Sequence, residues 1–207
     1  MSIVKNNIKI NNNSNYLQRL AIINQIGDNI FHTKDLANLW QIKNPGNLHT
    51  TLSRYVKNGL LFRIYRGFYS TLPLDKINPK LLGLKSLHEF SYVSTETVLA
   101  EAGIILQIIK PITLVSSKSK KFSINNNYYA SRKLAPQYLF NSEGIQEIAG
   151  IRTAKLNRAI ADLLYFNPNF HFDAKQQINW QAVKKIQVAI GYPLTPNCYD
   201  FTKPKRS

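Results

Sequence analysis

The sequence predicts an α+β protein of two domains, from three features of the chain. Helical apolar spacing and β-hairpin patterns both occur, the 207 residues fit one domain or two small ones, and turn residues separate an early from a late group of elements. Hydrophobic residues make up 44% of the chain, as in a folded protein. The predicted organisation is a flexible arm at 1–15, a first domain at 16–73, a connector at 74–90, a second domain at 91–195 and a basic tail at 196–207.

Three helices are predicted at the start of the first domain. Apolar side chains at helical spacing indicate the first helix over residues 16–26. Thr33 is the expected N-cap of a second helix over 34–41. Asn47 is the expected N-cap of a third helix, which runs to Lys57.

The third helix has two unlike sides. At about 100° per residue its apolar side chains share one side, which predicts burial there. The opposite side is polar and basic, and it carries Asn47, Thr50, Ser53, Arg54 and Lys57. This side is either an ordinary solvated surface or a surface that contacts nucleic acid.

A β-hairpin is predicted directly after the third helix. Two apolar segments, 60–65 and 68–72, are separated by Arg66-Gly67, where the glycine suits a tight turn. Three helices followed by a hairpin is the order of a winged helix-turn-helix, whose third helix enters the DNA major groove. We therefore expect DNA contacts from the third helix, with additional contacts from Arg63 and Arg66 of the wing.

These residues have different expected roles in DNA binding. Arg54 is the expected base reader, because a guanidinium bonds guanine bidentately. Lys57 and Arg66 are expected to hold phosphates.

The second domain is predicted to mix strands and helices. The element with the clearest helical pattern is 155–166. The other predicted elements are a helix over 95–102 with Ser94 as N-cap, a strand over Ile112–Ser116, a hairpin of 122–124 and 128–130, and a helix over 180–190 with Asn179 as N-cap.

The chain is strongly basic, with a formal charge of +16. Residues 1–73 hold nine basic and two acidic side chains, and residues 110–133 hold six basic and no acidic ones. The later group predicts a second basic surface, formed by Lys118, Lys120, Lys121, Arg132 and Lys133. It is either a solvated loop or a surface for nucleic acid or another partner. Binding to phosphates predicts a strong dependence on salt.

Several classes of function find no support in the sequence. No apolar run reaches the roughly 18 residues of a membrane helix, and residues 1–15 lack the features of a secretory signal. The single cysteine, Cys198, excludes a disulfide framework. No metal motif, phosphate-binding glycine loop or catalytic motif occurs, so we expect no cofactor, no metal site and no enzyme. A cytoplasmic protein is expected.

Residues 16–166 resemble the AbiEi-type antitoxins, which are the transcriptional regulators of type IV, abortive-infection toxin–antitoxin systems. The resemblance rests on Asn58–Tyr69, similar to the family's wing, on Tyr92–Ile104, similar to the helix that opens its second domain, and on Ala154–Tyr165, similar to its late helix. The strand Ile112–Ser116, followed by basic residues, also resembles the family pattern.

The resemblance implies an autorepressor that binds inverted repeats of its own promoter. It also implies a second domain that counters a nucleotidyltransferase-like toxin without a stable complex. Arg158, Ala159 and Asp162 match the family, but Leu156-Asn157 stands where it often has Pro-Glu. If that glutamate takes part in the antitoxic function, its loss affects toxin neutralisation and leaves DNA binding intact.

Two other functions stay open at the level of sequence. One is a winged-helix transcription factor without a toxin, whose second domain senses a ligand or dimerises. A neighbouring nucleotidyltransferase-like gene distinguishes this from an antitoxin. The other is an enzyme or nuclease accessory delivered to DNA by the winged helix, which a nuclease assay with divalent metal tests.

Overall fold

The computed structural model describes residues 16–106 and 110–195. The predicted arm at 1–15 and basic tail at 196–207, with Cys198, lie outside the described residues. The chain divides into two units, Met1–Ile77 and Asn78–Ser207.

The first unit combines helices with a three-stranded sheet. In chain order its elements are α1 (16–26), β1 (Ile30–His32), α2 (Thr33–Leu39), α3 (Pro45–Lys57), β2 (Phe62–Tyr65) and β3 (Phe68–Ser70). The sheet is antiparallel in the order β1-β3-β2, so β3 is the central strand. The sequence did not predict β1, because three residues are too few to show a strand's alternation.

The core of the first unit lies between the three helices and the sheet. Ile23 of α1, Leu36 of α2 and Leu52 of α3 are each fully buried. The Trp40 and Tyr55 rings stack with centroids 5.2 Å apart, and the Tyr55 hydroxyl donates a hydrogen bond to the Tyr16 carbonyl at 3.1 Å. These contacts fix which side of α3 faces inward.

The N-cap of α2 differs from the prediction by one residue. His32 occupies the cap, where its Nδ1 accepts a hydrogen bond from the Lys34 N–H at 3.2 Å. Thr33, the predicted cap, is already helical, and its hydroxyl donates to the Gly67 carbonyl at 2.9 Å. The strand β1 runs directly into α2, so the last strand residue is also the cap.

The second unit combines helices with a six-stranded mixed sheet. Its elements are α4 (Pro79–Leu87), β4 (Ser91–Val93), α5 (Glu96–Glu101), β5 (Ile112–Ser116), β6 (Lys120–Ile124), β7 (Asn127–Lys133), α6 (Pro136–Leu139), β8 (Ile145–Ile148), β9 (Ile151–Ala154), α7 (Leu156–Phe166) and α8 (Trp180–Ile190). The strand order is β6-β7-β5-β4-β9-β8. The pairs β5–β7 and β4–β9 are parallel and the other three are antiparallel.

The strand β5 and the helix α8 have the predicted bounds, and Asn179 caps α8 through a hydrogen bond from the Ala182 N–H. The predicted cap Ser94 is wrong, because its hydroxyl donates to the buried Asp162 carboxylate at 2.7 Å. Thr95 takes the cap position of α5 and makes no side-chain cap bond.

Much of the predicted connector, 74–90, is regular structure. A short 3-10 turn covers Leu74–Lys76, and α4 covers Pro79–Leu87. Leu82 and Leu84 of α4 are buried, and a Cβ on Gly83 would lie 2.4 Å from the Tyr129 ring. This close approach packs α4 onto the sheet of the second unit. The described residues thus form a mixed α+β protein with two sheets.

Candidate nucleic-acid interface

Helix α3 begins earlier than predicted. Asn44 is its N-cap, and the Asn44 Oδ1 accepts hydrogen bonds from the N–H groups of Gly46 at 2.8 Å and Asn47 at 3.1 Å. Pro45 occupies the first helical position, where its fixed φ suits the helix and its missing N–H costs nothing. The predicted cap Asn47 is therefore wrong, and its side chain is exposed within the first turn of the helix.

The exposed side of α3 carries the residues that the sequence predicted. Leu48, Leu52 and Tyr55 are buried on the inner side. Asn47, Thr50, Ser53, Arg54 and Lys57 are all exposed. The Thr50 hydroxyl donates to the Gly46 carbonyl at 3.0 Å and so is held against its own helix. His49, which the sequence prediction did not include, is exposed as well, at the flank of this side.

The hairpin after α3 carries two further cations. Arg63 lies on β2, where it pairs with Tyr69 of β3, and Arg66 begins the two-residue turn to β3. Gly67 completes this turn with a φ of +86°, which an L side chain adopts only with strain. Both arginines are exposed.

The turn of the hairpin is held at the start of α2. The Gly67 carbonyl accepts two hydrogen bonds from Thr33, one from its N–H at 2.8 Å and one from its hydroxyl at 2.9 Å. The Tyr65 and Phe68 rings, on either side of the turn, pack with centroids 4.8 Å apart. These contacts fix the backbone that carries Arg66.

The positive charges of the first unit are available to a ligand. Within 16–106 and 110–195, none of Arg54, Lys57, Arg63 and Arg66 forms an ion pair with a carboxylate. Arg54 and Lys57 lie in the last turn of α3, where their charges are favourable next to the negative end of the helix dipole. The polar side of α3 and the hairpin therefore present unpaired cations to solvent.

The predicted second basic surface does not form one surface. Lys118 lies 3.6 Å from the Glu89 carboxylate, and Arg132 forms an ion pair with Glu96. The Arg132 guanidinium also lies over the Phe166 ring at 5.5 Å. These two cations are therefore partly neutralised by acidic side chains of the second unit.

The three remaining cations of that surface lie on different faces of the sheet. Side chains alternate along a strand, so Lys120 and Lys121 point to opposite faces. Lys120 shares its face with Lys133, since Lys120 pairs with Ser131, two residues before Lys133. Lys121 is exposed on the other face.

Arg158 and Asp162, two residues on which the sequence resemblance rests, lie in the interior of the second unit. Both side chains are fully buried and bond each other at 2.9 Å. The Arg158 guanidinium also donates to the Tyr92 hydroxyl at 2.8 Å and to backbone carbonyls, which belong to Tyr138, Asn141 and Glu143. The Asp162 carboxylate accepts hydrogen bonds from the hydroxyls of Ser94 and Tyr192, both at 2.7 Å.

The ionisation of the buried tyrosines follows from this network. Burial raises the pKa of Tyr92 and Tyr192 far above the ordinary range, and the Asp162 carboxylate raises both further. Both hydroxyls therefore stay protonated. The network is a structural arrangement, enclosed away from any surface ligand.

Comparison with known proteins bears on the fold of this chain. No protein-family model and no curated protein matches the sequence. The crystal structure of the RV2827C protein from Mycobacterium tuberculosis has a similar fold, with a TM-score of 0.50 at 8% sequence identity. The match covers 85% of this chain and 71% of that one. At this identity the similarity shows the mixed α+β fold alone.

Among the residues that the structure describes, no helix is suited to span a bilayer. Across the described ranges, every helix is too short or too polar to cross a membrane.

Proposed function

We propose that this protein is a DNA-binding repressor of its own promoter and the antitoxin of a type IV toxin–antitoxin pair. In this proposal the first unit is a winged helix-turn-helix, with α3 as the recognition helix and the β2–β3 hairpin as the wing. The observation that carries it is the row of exposed side chains on α3, with two unpaired cations, followed by a hairpin with two more.

The order of elements supports this assignment. A winged helix presents one helix to the major groove and a hairpin to the neighbouring backbone. Here the inner side of α3 is packed against the core through Leu48, Leu52 and Tyr55, so its polar side is the one a duplex can reach. The tie between Gly67 and Thr33 fixes the hairpin backbone, which reduces the ordering cost when Arg66 binds a phosphate.

The antitoxin part of the proposal rests on the resemblance to the AbiEi-type family. In this proposal the second unit of the present protein counters a nucleotidyltransferase-like toxin without forming a stable complex with it. The protein acts in the cytoplasm and catalyses no reaction. The sequence segments that carry this resemblance span both units, from the wing to α7.

A binding titration with the full chain tests DNA recognition. The protein is titrated against a duplex of its own upstream region and against a scrambled duplex, at two salt concentrations. Arg54→Ala is expected to weaken binding to the upstream duplex by about 1–3 kcal/mol, roughly 5- to 150-fold, because a bidentate base contact is lost. Arg54→Lys keeps the charge and is expected to lose most of the sequence preference.

The same titration separates the roles of helix and hairpin. Arg66→Ala is expected to weaken binding to both duplexes by the same factor, because it removes a phosphate contact. If Arg66→Ala abolishes the preference for the upstream duplex and Arg54→Ala does not, the hairpin reads the sequence and the two roles are reversed. Equal binding of the wild-type protein to both duplexes contradicts the repressor proposal.

A growth assay tests the antitoxin function. The neighbouring gene is expressed with and without this protein, and growth is expected to be restored only when both are present. The Arg54→Ala variant is expected to restore growth as well as the wild type, because neutralisation resides in the second unit. If growth stays inhibited when the wild-type protein is present, the antitoxin part of the proposal is contradicted and only the repressor part remains.

A further inference from the structure

The β6–β7 hairpin at the edge of the second unit's sheet has one buried and one open face. On the inner face, Phe122 stacks on the buried Tyr129 with ring centroids 4.8 Å apart. Strand alternation places Lys121, Ser123 and Tyr128 on the other face, and all three are exposed. Tyr128 is 59% exposed, so most of its ring and its hydroxyl are accessible from solvent.

Lys110 extends this open face. Lys110 and Tyr128 line one small cavity of about 120 Å³, together with Asn126 of the turn between β6 and β7 and Asn127 at the start of β7. We call Lys110, Lys121, Ser123, Asn126 and Tyr128 the hairpin surface. All five residues are exposed.

The chemistry of the hairpin surface suits an anion. Residues 110–133 contain no acidic side chain. In the described part of the chain, neither Lys110 nor Lys121 forms an ion pair, whereas Glu89 and Glu96 pair with Lys118 and Arg132. Ammonium, hydroxyl and amide groups are among the side-chain donors that contact phosphate oxygens in protein–DNA complexes.

We propose that the hairpin surface binds duplex DNA through its phosphates, as a second and sequence-independent contact. This inference rests on the proposed function, because it assigns to the second unit a part in binding the same class of ligand. A lipid surface is disfavoured, since interfacial binding needs several apolar anchors and this face offers only the Tyr128 ring. The contact raises affinity without changing the preference among sequences.

A charge-matched pair of variants tests the inference on the full chain. Lys110→Gln/Lys121→Gln removes two charges from the hairpin surface, and Lys184→Gln/Lys185→Gln removes two from the exposed side of α8. Affinities for the upstream and scrambled duplexes are measured across a salt series. The hairpin variant is expected to weaken binding to both duplexes by the same factor. It is also expected to reduce the slope of log K against log salt by about 1.8, or about 0.9 per phosphate contact. The α8 variant is expected to leave the slope unchanged.

Either of two results would overturn the inference. The first is a hairpin variant that retains the wild-type slope of log K against log salt. The second is an α8 variant that reduces this slope as much as the hairpin variant does, because net charge alone would then attract the duplex. The single variant Lys110→Gln is expected to reduce the slope by about 0.9. Because Lys110 lies outside the edge strand, this variant shows whether an effect of the double variant comes from lost charge or from a misfolded strand. The Arg54→Ala titration stays independent of these outcomes, so failure of the hairpin surface is distinct from failure of sequence recognition.

Discussion

Arg158 uses its whole hydrogen-bonding capacity inside the second unit. A guanidinium has five N–H donors, and the Arg158 group makes five hydrogen bonds with partners in α7, in β4 and in the segment 138–143. Its charge is balanced by Asp162, four residues along α7. Arg158 and Asp162 therefore hold the fold of the second unit together.

Arg158→Ala is expected to destabilise the protein by about 3–5 kcal/mol, because it leaves the buried Asp162 carboxylate without a countercharge. Urea unfolding monitored by circular dichroism measures the change. Arg152→Ala is the control, since the pair of Arg152 and Glu147 is half exposed and contributes at most about 1 kcal/mol. Equal losses from the two variants would contradict the structural role of Arg158.

The first turn of α7 lacks the residues that usually stabilise the start of a helix. Lys155 occupies the cap without a side-chain cap bond, and no acidic residue lies in the first turn. Leu156 and Asn157 occupy the first two helical positions, which are the positions where the resembling family often has Pro-Glu. Proline suits the first helical position, and glutamate is favourable near the positive end of the helix dipole. Having Leu156-Asn157 in place of Pro-Glu therefore makes the first turn of α7 less stable.

Asn157→Glu is expected to stabilise the protein by about 0.3–1 kcal/mol at low salt, through the interaction of the new carboxylate with the helix dipole. Thermal unfolding at low and high salt measures the gain, which salt should reduce. Asn157→Gln has the same length without the charge and is expected to give no such gain. If Asn157→Glu instead changes toxin neutralisation without changing stability, this position acts directly in the antitoxic function.

Other elements show how far local patterns predict structure. The long periodic helices and β5 were predicted within a few residues, because each carries a complete apolar pattern. The strands β4, β8 and β9 were missed, since three or four residues do not establish a period. The tight turn between β8 and β9 consists of Ala149 and Gly150, with φ of +50° and +75°, and alanine is not a residue that favours this left-handed conformation.

At the scale of the whole molecule, burial alters the ionisation of tyrosines in both units. Burial raises the pKa of Tyr55 in the first unit and that of Tyr129 in the second, where it reaches about 12. The Tyr129 hydroxyl donates to the Pro79 carbonyl at 2.9 Å and so ties the sheet to the start of α4.

The free energy of unfolding is expected to fall as the pH rises above about 10. The unfolded chain loses its phenolic protons near pH 10, whereas the folded protein keeps them, so the unfolded state binds fewer protons. For Tyr129 the loss continues to about pH 12, at about 1.4 kcal/mol per pH unit. Urea unfolding between pH 9 and 11 measures the slope, and Tyr129→Phe should reduce it. An unchanged slope in this variant would show that Tyr129 titrates normally.

The sequence by itself determined the α+β class, the polar and basic side of α3 and the position of the hairpin with Arg63 and Arg66. These features depend on neighbours along the chain, which helical and strand periodicity relate directly. Only the tertiary structure decided which cations stay unpaired. Glu89 and Glu96 are distant in sequence from Lys118 and Arg132 and meet them through sheet pairing and packing. For the same reason the burial of Arg158, and the open face that brings Lys110 to Tyr128, became visible only in the fold.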